Sequence, residues 1–439
     1  MSVESEVIRR IRPSEKEVKE IFRARDSLIE AITSYISENN INVKVRFVGS
    51  VEKGTYLSNP DLDLFLMFPE SVSREEMVCL GLEIGKAVVN GQKTYSDHPY
   101  THGKFHGFDV DIVPCYNVAT AENILTPVDR SPFHADYVKS KVSSDMVDEI
   151  RLMKRFMKGV GVYGAEPRVR GFSGYMCELI TIYYGGFRNA ISEAAKWRRG
   201  TTISIEKSGP SMIAPLVLYD PVDSKRNVAA AVHIDTLAKF IVACGEYLKS
   251  PSTTFFYPNE QRSMSRDQIE EKVDMHGTKL ITVIFDSPNI NEDNFSAQVW
   301  KTQYALTKKF DSFSFNVLRV VHEYIGSNIV FVFELERDAL PKSYKHIGPP
   351  IWVKSCDSFL KKQKANNKDP FIENGRWAVI SERPYLTARD MIEHEVDITG
   401  IGKEIDPRTM KILDHINTVN SVDRDVLTKL MNPRYSWEY

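Results

Sequence analysis

Gly49-Ser50-Val51-Glu52-Lys53-Gly54-Thr55 and, after five intervening residues, Asp61-Leu62-Asp63-Leu64-Phe65 are the stretches on which the fold of this chain turns. Side chains alternate faces along a strand, so Asp61 and Asp63 are expected on one face and Leu62 and Leu64 on the other. Two neighbouring carboxylates repel each other unless a cation sits between them. Mg²⁺ takes one or two carboxylates plus phosphate oxygens, which suits such a pair. The Gly-Ser turn ahead of it lets backbone N–H groups approach a phosphate, and the Ser50 hydroxyl adds a donor. Lys53 stands three residues on, placed to meet a triphosphate.

A second pair follows in Asp109-Val110-Asp111-Ile112-Val113-Pro114. Two metal ions about 3.5–4 Å apart need a bridging set of carboxylates. Asp61, Asp63 and one of Asp109 or Asp111 could supply it. A lone Asp-x-Asp is most often a solvated strand face. The Gly-Ser turn and the second acidic strand together favour a metal-assisted phosphate site.

Outward from this centre, residues 13–38 carry apolar residues at a helical period, and VKVRFVGS runs as a strand into the turn. Leu62–Phe68 reads as a second strand, 73–90 as a helix, and 103–113 as a further strand closed by Pro114. This order predicts a mixed-sheet α/β head over 1–145. Residues 146–260 are expected to form a mostly helical neck. Beyond a Pro/Ser/Thr-rich break, 261–439 is expected to hold a body and tail. Its β-α-β-β order from residue 279 suggests a half-buried, ferredoxin-like or RNA-recognition-type sheet. The whole is an α+β multidomain chain, as 439 residues allow.

Composition excludes little else. Lys plus Arg is 57 and Asp plus Glu is 59, so any nucleic-acid surface must be local. Five cysteines without a CxxC pair argue against a disulfide framework or a zinc ribbon and suit a reducing cytoplasm. The charged N-terminus and the lack of a long apolar run predict no signal peptide and no membrane partner.

The motifs extend further. HPYTHGKFHGFDVDIVPCY (98–116), VDRSPFH (128–134), EIRLMKRFMKGVGVYGAE (149–166), RVRGFSGYMCELI (168–180) and DPVDSKRNVAAAV (220–232) occur in this order. With the Gly-Ser and Asp-x-Asp segments they resemble the DNA polymerase beta-type nucleotidyltransferases, and among them the archaeal class I CCA-adding enzymes. The resemblance covers roughly 45–235. It implies addition of C, C and A to tRNA 3′ ends from CTP and ATP, without a template, with two Mg²⁺ ions. It selects Asp111 as the third carboxylate, with Asp109 a neighbour. By the same resemblance Gly49, Ser50, Lys53, His134, Lys154, Tyr163 and Arg226 bind the nucleotide. Lys154 would hold phosphate, Tyr163 the sugar or triphosphate, His134 the triphosphate, and Arg226 the base and primer end. The chain departs from the family pattern at Asp61, where Glu is frequent, and at Lys53, where Arg is. Both changes keep the charge, although lysine offers a point charge in place of a fork.

Four further features bear on the site and its surroundings. Arg151, Lys154, Arg155 and Lys158 recur at helical spacing opposite Ile150, Met153, Met157 and Val160, which predicts a basic stripe over an apolar face. Residues 151–200 hold ten Lys/Arg against three Asp/Glu, favouring a phosphate-facing surface. Arg170-Gly171-Phe172-Ser173-Gly174-Tyr175 could bind phosphate at a helix start or serve tight packing. His98, His102 and His106 have ligand spacing only on a helix, and Pro99, Gly103 and Gly107 argue for turn and strand instead of zinc. Residues 341–380 carry eight Lys/Arg, three Asp/Glu and interleaved aromatics, a mixture suited to gripping folded RNA. A poly(A) polymerase or oligoadenylate synthase would share the head and neck, and a non-catalytic RNA-binding protein would share the scaffold. A homodimer stays open.

Overall fold

The computed structural model describes residues 2–94 and 98–438. The chain folds into two compact units, Met1–Gln261 with Tyr435–Tyr439, and Arg262–Arg434.

The first unit opens with helices α1 (Val3–Ile11) and α2 (Glu15–Glu38). Ser14 and Glu17 start α2 with a capping box, each side chain accepting the other's backbone N–H. Then come strand β1 (Lys44–Phe47), the single-turn helix α3 (Gly49–Lys53), β2 (Leu62–Phe68), α4 (Arg74–Val89), β3 (Gln92–Thr94), β4 (Tyr100–Phe105) and β5 (Phe108–Tyr116). The sheet order is β1-β2-β5-β4-β3. Among the described strands of this sheet, β2 and β5 alone run parallel, with Asp63 opposite Asp111 and Leu64 opposite Ile112. Leu62, Leu64, Leu66, Val110 and Ile112 bury one face under Leu28 and Ile32 of α2 and Ile84 of α4. On the other face Phe65 and Cys115 pack on Ala135, from α5 (Ser131–Lys141). Asp63 lies two residues before Phe65 on this second face.

The strand expected over 103–113 is instead a hairpin. His106 (φ 49°) and Gly107 (φ 87°) both take positive φ, and Phe105 pairs with Phe108 across them. That is the primed two-residue turn whose twist matches antiparallel strands. Pro114 does not end β5. Pairing with β4 stops at Ile112, so the missing N–H of Pro114 costs no ladder bond on that side.

The helical part holds α6 (Ser144–Gly159), α7 (Gly174–Tyr184), α8 (Phe187–Ala194), the parallel strands β6 (Thr201–Ser204) and β7 (Leu216–Tyr219), and α9 (Ile234–Lys249). Its core centres on Phe156, ringed by Phe187, Phe240, Tyr247, Phe255 and Phe256 at 5.4–6.3 Å. Val7 and Ile11 of α1 and Trp437 belong to this core. Both described ends of the chain thus pack on the helical part.

The second unit comprises α10 (Arg266–His276), β8 (Lys279–Asp286), α11 (Glu292–Ser312), β9 (Val317–Ile325), β10 (Asn328–Leu335), β11 (Ser343–Pro350), α12 (Ser355–Ala365), β12 (Phe371–Glu373), β13 (Arg376–Glu382), α13 (Ala388–Glu395), β14 (Lys411–Leu413), α14 (His415–Ser421) and α15 (Arg424–Met431). An antiparallel sheet runs β14-β8-β10-β9, and a smaller one β11-β13-β12. The larger sheet is not half-buried. Ile281, Val283 and Phe331 pack on Leu306 and Phe310 of α11, while Leu280, Val330 and Val332 pack on Val419, Val426 and Leu427 of α14 and α15. Leu280, Ile281, Val283, Ile284 and Phe285 are apolar on both parities, the mark of a strand covered twice. The basic segment 341–380 forms the smaller sheet with α12. Trp352 there is 75% exposed.

Among the described residues no helix is long and apolar enough to cross a membrane. All five cysteines are free thiols.

Candidate active site

Asp63 on β2 and Asp111 on β5 occupy paired register positions of adjacent parallel strands. Asp61 stands one residue before β2, so strand alternation does not place it. Its charge nevertheless acts on both partners. Burial, then the charges of Asp111 and Asp61, push the Asp63 carboxyl up to about 7, against the pull of Lys53 and Lys154. Burial also raises Asp111, and a hydrogen bond with His102 draws it back. Asp109 lies 3.4 Å from the Lys104 ammonium. Asp111, rather than Asp109, is the residue brought opposite Asp63.

Gly49 opens α3 at φ +70°, and a Cβ built there would lie 1.8 Å from Asp63 Oδ2. The Val48 N–H donates to the Asp63 carbonyl at 3.0 Å. The Gly-Ser turn is thus packed directly on the carboxylate. Ser50 follows, half-buried, and its carbonyl accepts from Thr55 N at 3.0 Å.

Lys53 and Lys154 meet on one buried acid. Lys53 Nζ lies 2.6 Å from Glu178 Oε2 and Lys154 Nζ 2.8 Å from Oε1. Lys154 also donates to the Thr55 hydroxyl and carbonyl at 3.0 and 3.1 Å. Burial alone would raise the Glu178 carboxyl, but the two ammonium groups outweigh it and hold the group at about 2. Lys154 is only 3% exposed.

This corrects the reading of α6 as an open basic stripe. Arg151 donates to the carbonyls of Tyr56 and Gly54 at 3.0 and 2.8 Å. Arg155 donates to the Phe256 carbonyl. A cation at the margin of an apolar face loses water and takes whatever carbonyl or carboxylate is near. Ile150, Met153, Met157 and Val160 are fully buried as expected.

Tyr163 lies under Lys158, whose Nζ is 5.1 Å from the ring centroid. Its hydroxyl would be 2.8 Å from a Cβ on Gly174, and a Cβ on Gly171 would strike the Val162 carbonyl at 2.1 Å. The glycines of 170–175 therefore permit close packing here.

His134 and Arg226 converge on Asp220. His134 Nε2 and Arg226 Nη1 each lie 2.8 Å from Asp220 Oδ2, and the Tyr175 hydroxyl donates to Oδ1 at 3.2 Å. His134 stacks on Tyr175 at 4.0 Å between centroids. Lys53 Nζ is 5.9 Å from the same tyrosine ring, linking this cluster to the lysine pair. Burial lowers the His134 pKa, with Asp220 opposing. The Arg226 side chain stays 37% exposed.

Glu178, Asp220, Tyr175 and His102 were not singled out from sequence for these roles. Glu178 carried a signal, being one acid inside the apolar run MCELITI, where a buried charge needs partners. The three spaced histidines go to separate places. His98 binds the Pro114 carbonyl, His102 binds Asp111, and His106 forms the turn.

A mixed sheet that sets two aspartates in register beside a Gly-Ser turn, with a third adjoining and paired lysines behind, defines a nucleotidyltransferase. Residues 29–134 match the nucleotidyltransferase domain family, 148–257 the second domain of tRNA nucleotidyltransferases, and 276–412 the C-terminal domain of CCA-adding enzymes. Over 409 residues the chain is 36% identical to a CCA-adding enzyme of Methanosarcina barkeri, covering 91% of this chain and 90% of that one. It is 35% identical over 381 residues to the CCA-adding enzyme of Archaeoglobus fulgidus, covering 86% and 85%. The chain belongs to the CCA-adding enzyme family, the template-independent tRNA nucleotidyltransferases.

Proposed function

We propose that this site joins CMP, CMP and AMP in turn to the 3′ end of tRNA, taking them from CTP and ATP and releasing pyrophosphate each time. The observation that carries the reading is the in-register pair of Asp63 and Asp111 beside Asp61. An Asp63 carboxyl held near 7 marks a place where negative charge is crowded and a cation is wanted. The donors are all carboxylate oxygens, which suit a hard divalent ion. Among the described residues no three acids, histidines or cysteines close a metal site by themselves, so substrate phosphate oxygens would finish the shell. Two Mg²⁺ ions, held by Asp61, Asp63 and Asp111, would neutralise the triphosphate and make the primer hydroxyl a better nucleophile.

The other roles follow from charge and position. Gly49 and Ser50 present donors to the phosphates. Lys53 and Lys154 leave one net positive charge after Glu178 is counted, and this faces the same phosphates. Tyr163 and His134 border them. Arg226, partly open to solvent, offers a planar donor set to the base edge. Binding and orientation by these groups supply most of the rate. We assign nucleotidyl transfer to 1–145, nucleotide and primer contacts to 146–260, and tRNA grip to 261–439. The three family matches, each lying within one of these spans, support that division. The β8-α11-β9-β10 order supports a ferredoxin-like, RNA-recognition-like fold for the body. The setting is cytoplasmic.

The test is a tRNA lacking CCA, incubated with Mg²⁺ and each nucleotide singly and together. Sequencing is expected to give CC with CTP alone and CCA with both. A long homopolymer, a 2′-linked chain or no addition would contradict the proposal.

A further inference from the structure

Strand β4 runs antiparallel to β5 and sets His102 directly opposite Asp111. The His102 Nδ1 lies 2.8 Å from Asp111 Oδ1. Its other nitrogen, Nε2, is 3.8 Å from Asp109, beyond a hydrogen bond. The imidazole is not core packing, since its side chain is 49% exposed. Asp109 already has Lys104 beside it. Among the described residues, the ring's one polar contact within hydrogen-bond distance is therefore with the carboxylate opposite Asp63.

We propose that His102 is a positioning residue for Asp111. This rests on Asp111 being a metal ligand, as argued above. A carboxylate facing Asp63 and Asp61 is repelled by both and gains by rotating toward solvent. A donor at 2.8 Å on Oδ1 opposes that rotation. It also leaves Oδ2 without a hydrogen-bonded partner among the described residues, so one oxygen is available to a cation. An imidazole carrying its proton on Nδ1 is the donor this contact needs. Such outer contacts typically account for about 10–100-fold in metal affinity or activity.

The identity of the bonding nitrogen sharpens the expectation. Nδ1 sits where the amide nitrogen of asparagine would sit, whereas glutamine's amide reaches the place of Nε2. His102→Asn keeps the donor and His102→Gln misplaces it.

The experiment uses the full chain and its His102→Ala, His102→Asn, His102→Gln and Asp111→Asn variants. Mn²⁺ affinity is read by electron paramagnetic resonance without nucleotide. Labelled CTP incorporation is read against Mg²⁺ concentration. His102→Ala and His102→Gln are expected to weaken Mn²⁺ binding about 10–100-fold and to raise the half-saturating Mg²⁺ concentration in proportion. At saturating Mg²⁺ most of the maximal rate should return. His102→Asn should stay within about threefold of the parent on both readouts, inside the smallest effect such contacts give. If Asp111→Asn loses Mn²⁺ while His102→Ala keeps it, the positioning role is overturned and the site stands. Failure of His102→Asn to rescue overturns the role equally. If Asp111→Asn keeps full Mn²⁺ affinity, both the role and the metal assignment fall.

Discussion

At the scale of single residues, the Asp63 carboxyl ties chemistry to stability. Its pKa near 7 in the folded chain compares with about 3.9 unfolded. The folded state thus binds the proton more tightly between these values, and stability falls as pH rises from about 4 to 7. Above 7 the full penalty of the ionised group remains unless a cation binds. Asp63→Asn is therefore expected to raise the melting temperature of the metal-free protein at pH 8. The gain should vanish near pH 4, and the variant should not turn over. Equal shifts at both pH values in a thermal scan would contradict the assignment. Gly49→Ala probes the same spot by shape. Its Cβ would enter the space of Asp63 Oδ2, so CTP incorporation should fall by about 10²–10³, the usual loss when one preorganised group is displaced. Asp63 and Gly49 were legible because alternation and a Gly-Ser turn are local patterns. The roles of Glu178 and Asp220 were not, because each depends on a partner far along the chain, Lys53 at 125 positions and His134 at 86.

At the scale of elements, α6 and α7 show what periodicity reaches. It found the apolar face of α6, since burial of Met153 and Met157 follows from spacing. It could not tell a solvated cation from one bonded to a distant carbonyl, as with Arg151 and Tyr56. The β4–β5 hairpin hid for a similar reason. His106-Gly107 lies inside a run that reads as one strand, and the positive φ of both residues makes it a turn. The lysine pair gives the prediction here. Glu178→Gln leaves two buried ammonium groups without their carboxylate, and breaking such a pair costs about 3–5 kcal/mol. Urea unfolding at pH 7 is expected to show a loss of that order. The wild-type contribution of Glu178 is lost only as pH falls from about 4.5 toward its folded value near 2. A variant as stable as the parent at pH 7 would mean the triad adds nothing to the fold.

For the whole molecule, order of elements was legible and layering was not. In the second unit β8, α11, β9 and β10 were expected in that order and β11 to β14 were not, and the helices α14 and α15 that cover the second face of the larger sheet come about eighty residues after β10, outside any local pattern. The basic segment around α12 belongs to this unit, and Lys361, Lys362 and Lys364 are exposed. Replacing all three with glutamate should raise the KM for tRNA at least tenfold at about 0.1 M salt and flatten its salt dependence, because phosphate contacts release counterions. The kcat at saturating tRNA should change little. An unaltered KM would remove this surface from tRNA binding.

On the proposed mechanism Asp61, Asp63 and Asp111 act together on one nucleotide. Incorporation of labelled CTP and ATP into tRNA lacking its CCA end, by Asp111→Ala beside the parent chain, tests it most directly. A fall of about 10³-fold or more in kcat, with tRNA affinity retained, is the predicted result. Incorporation at close to the parent rate would contradict it.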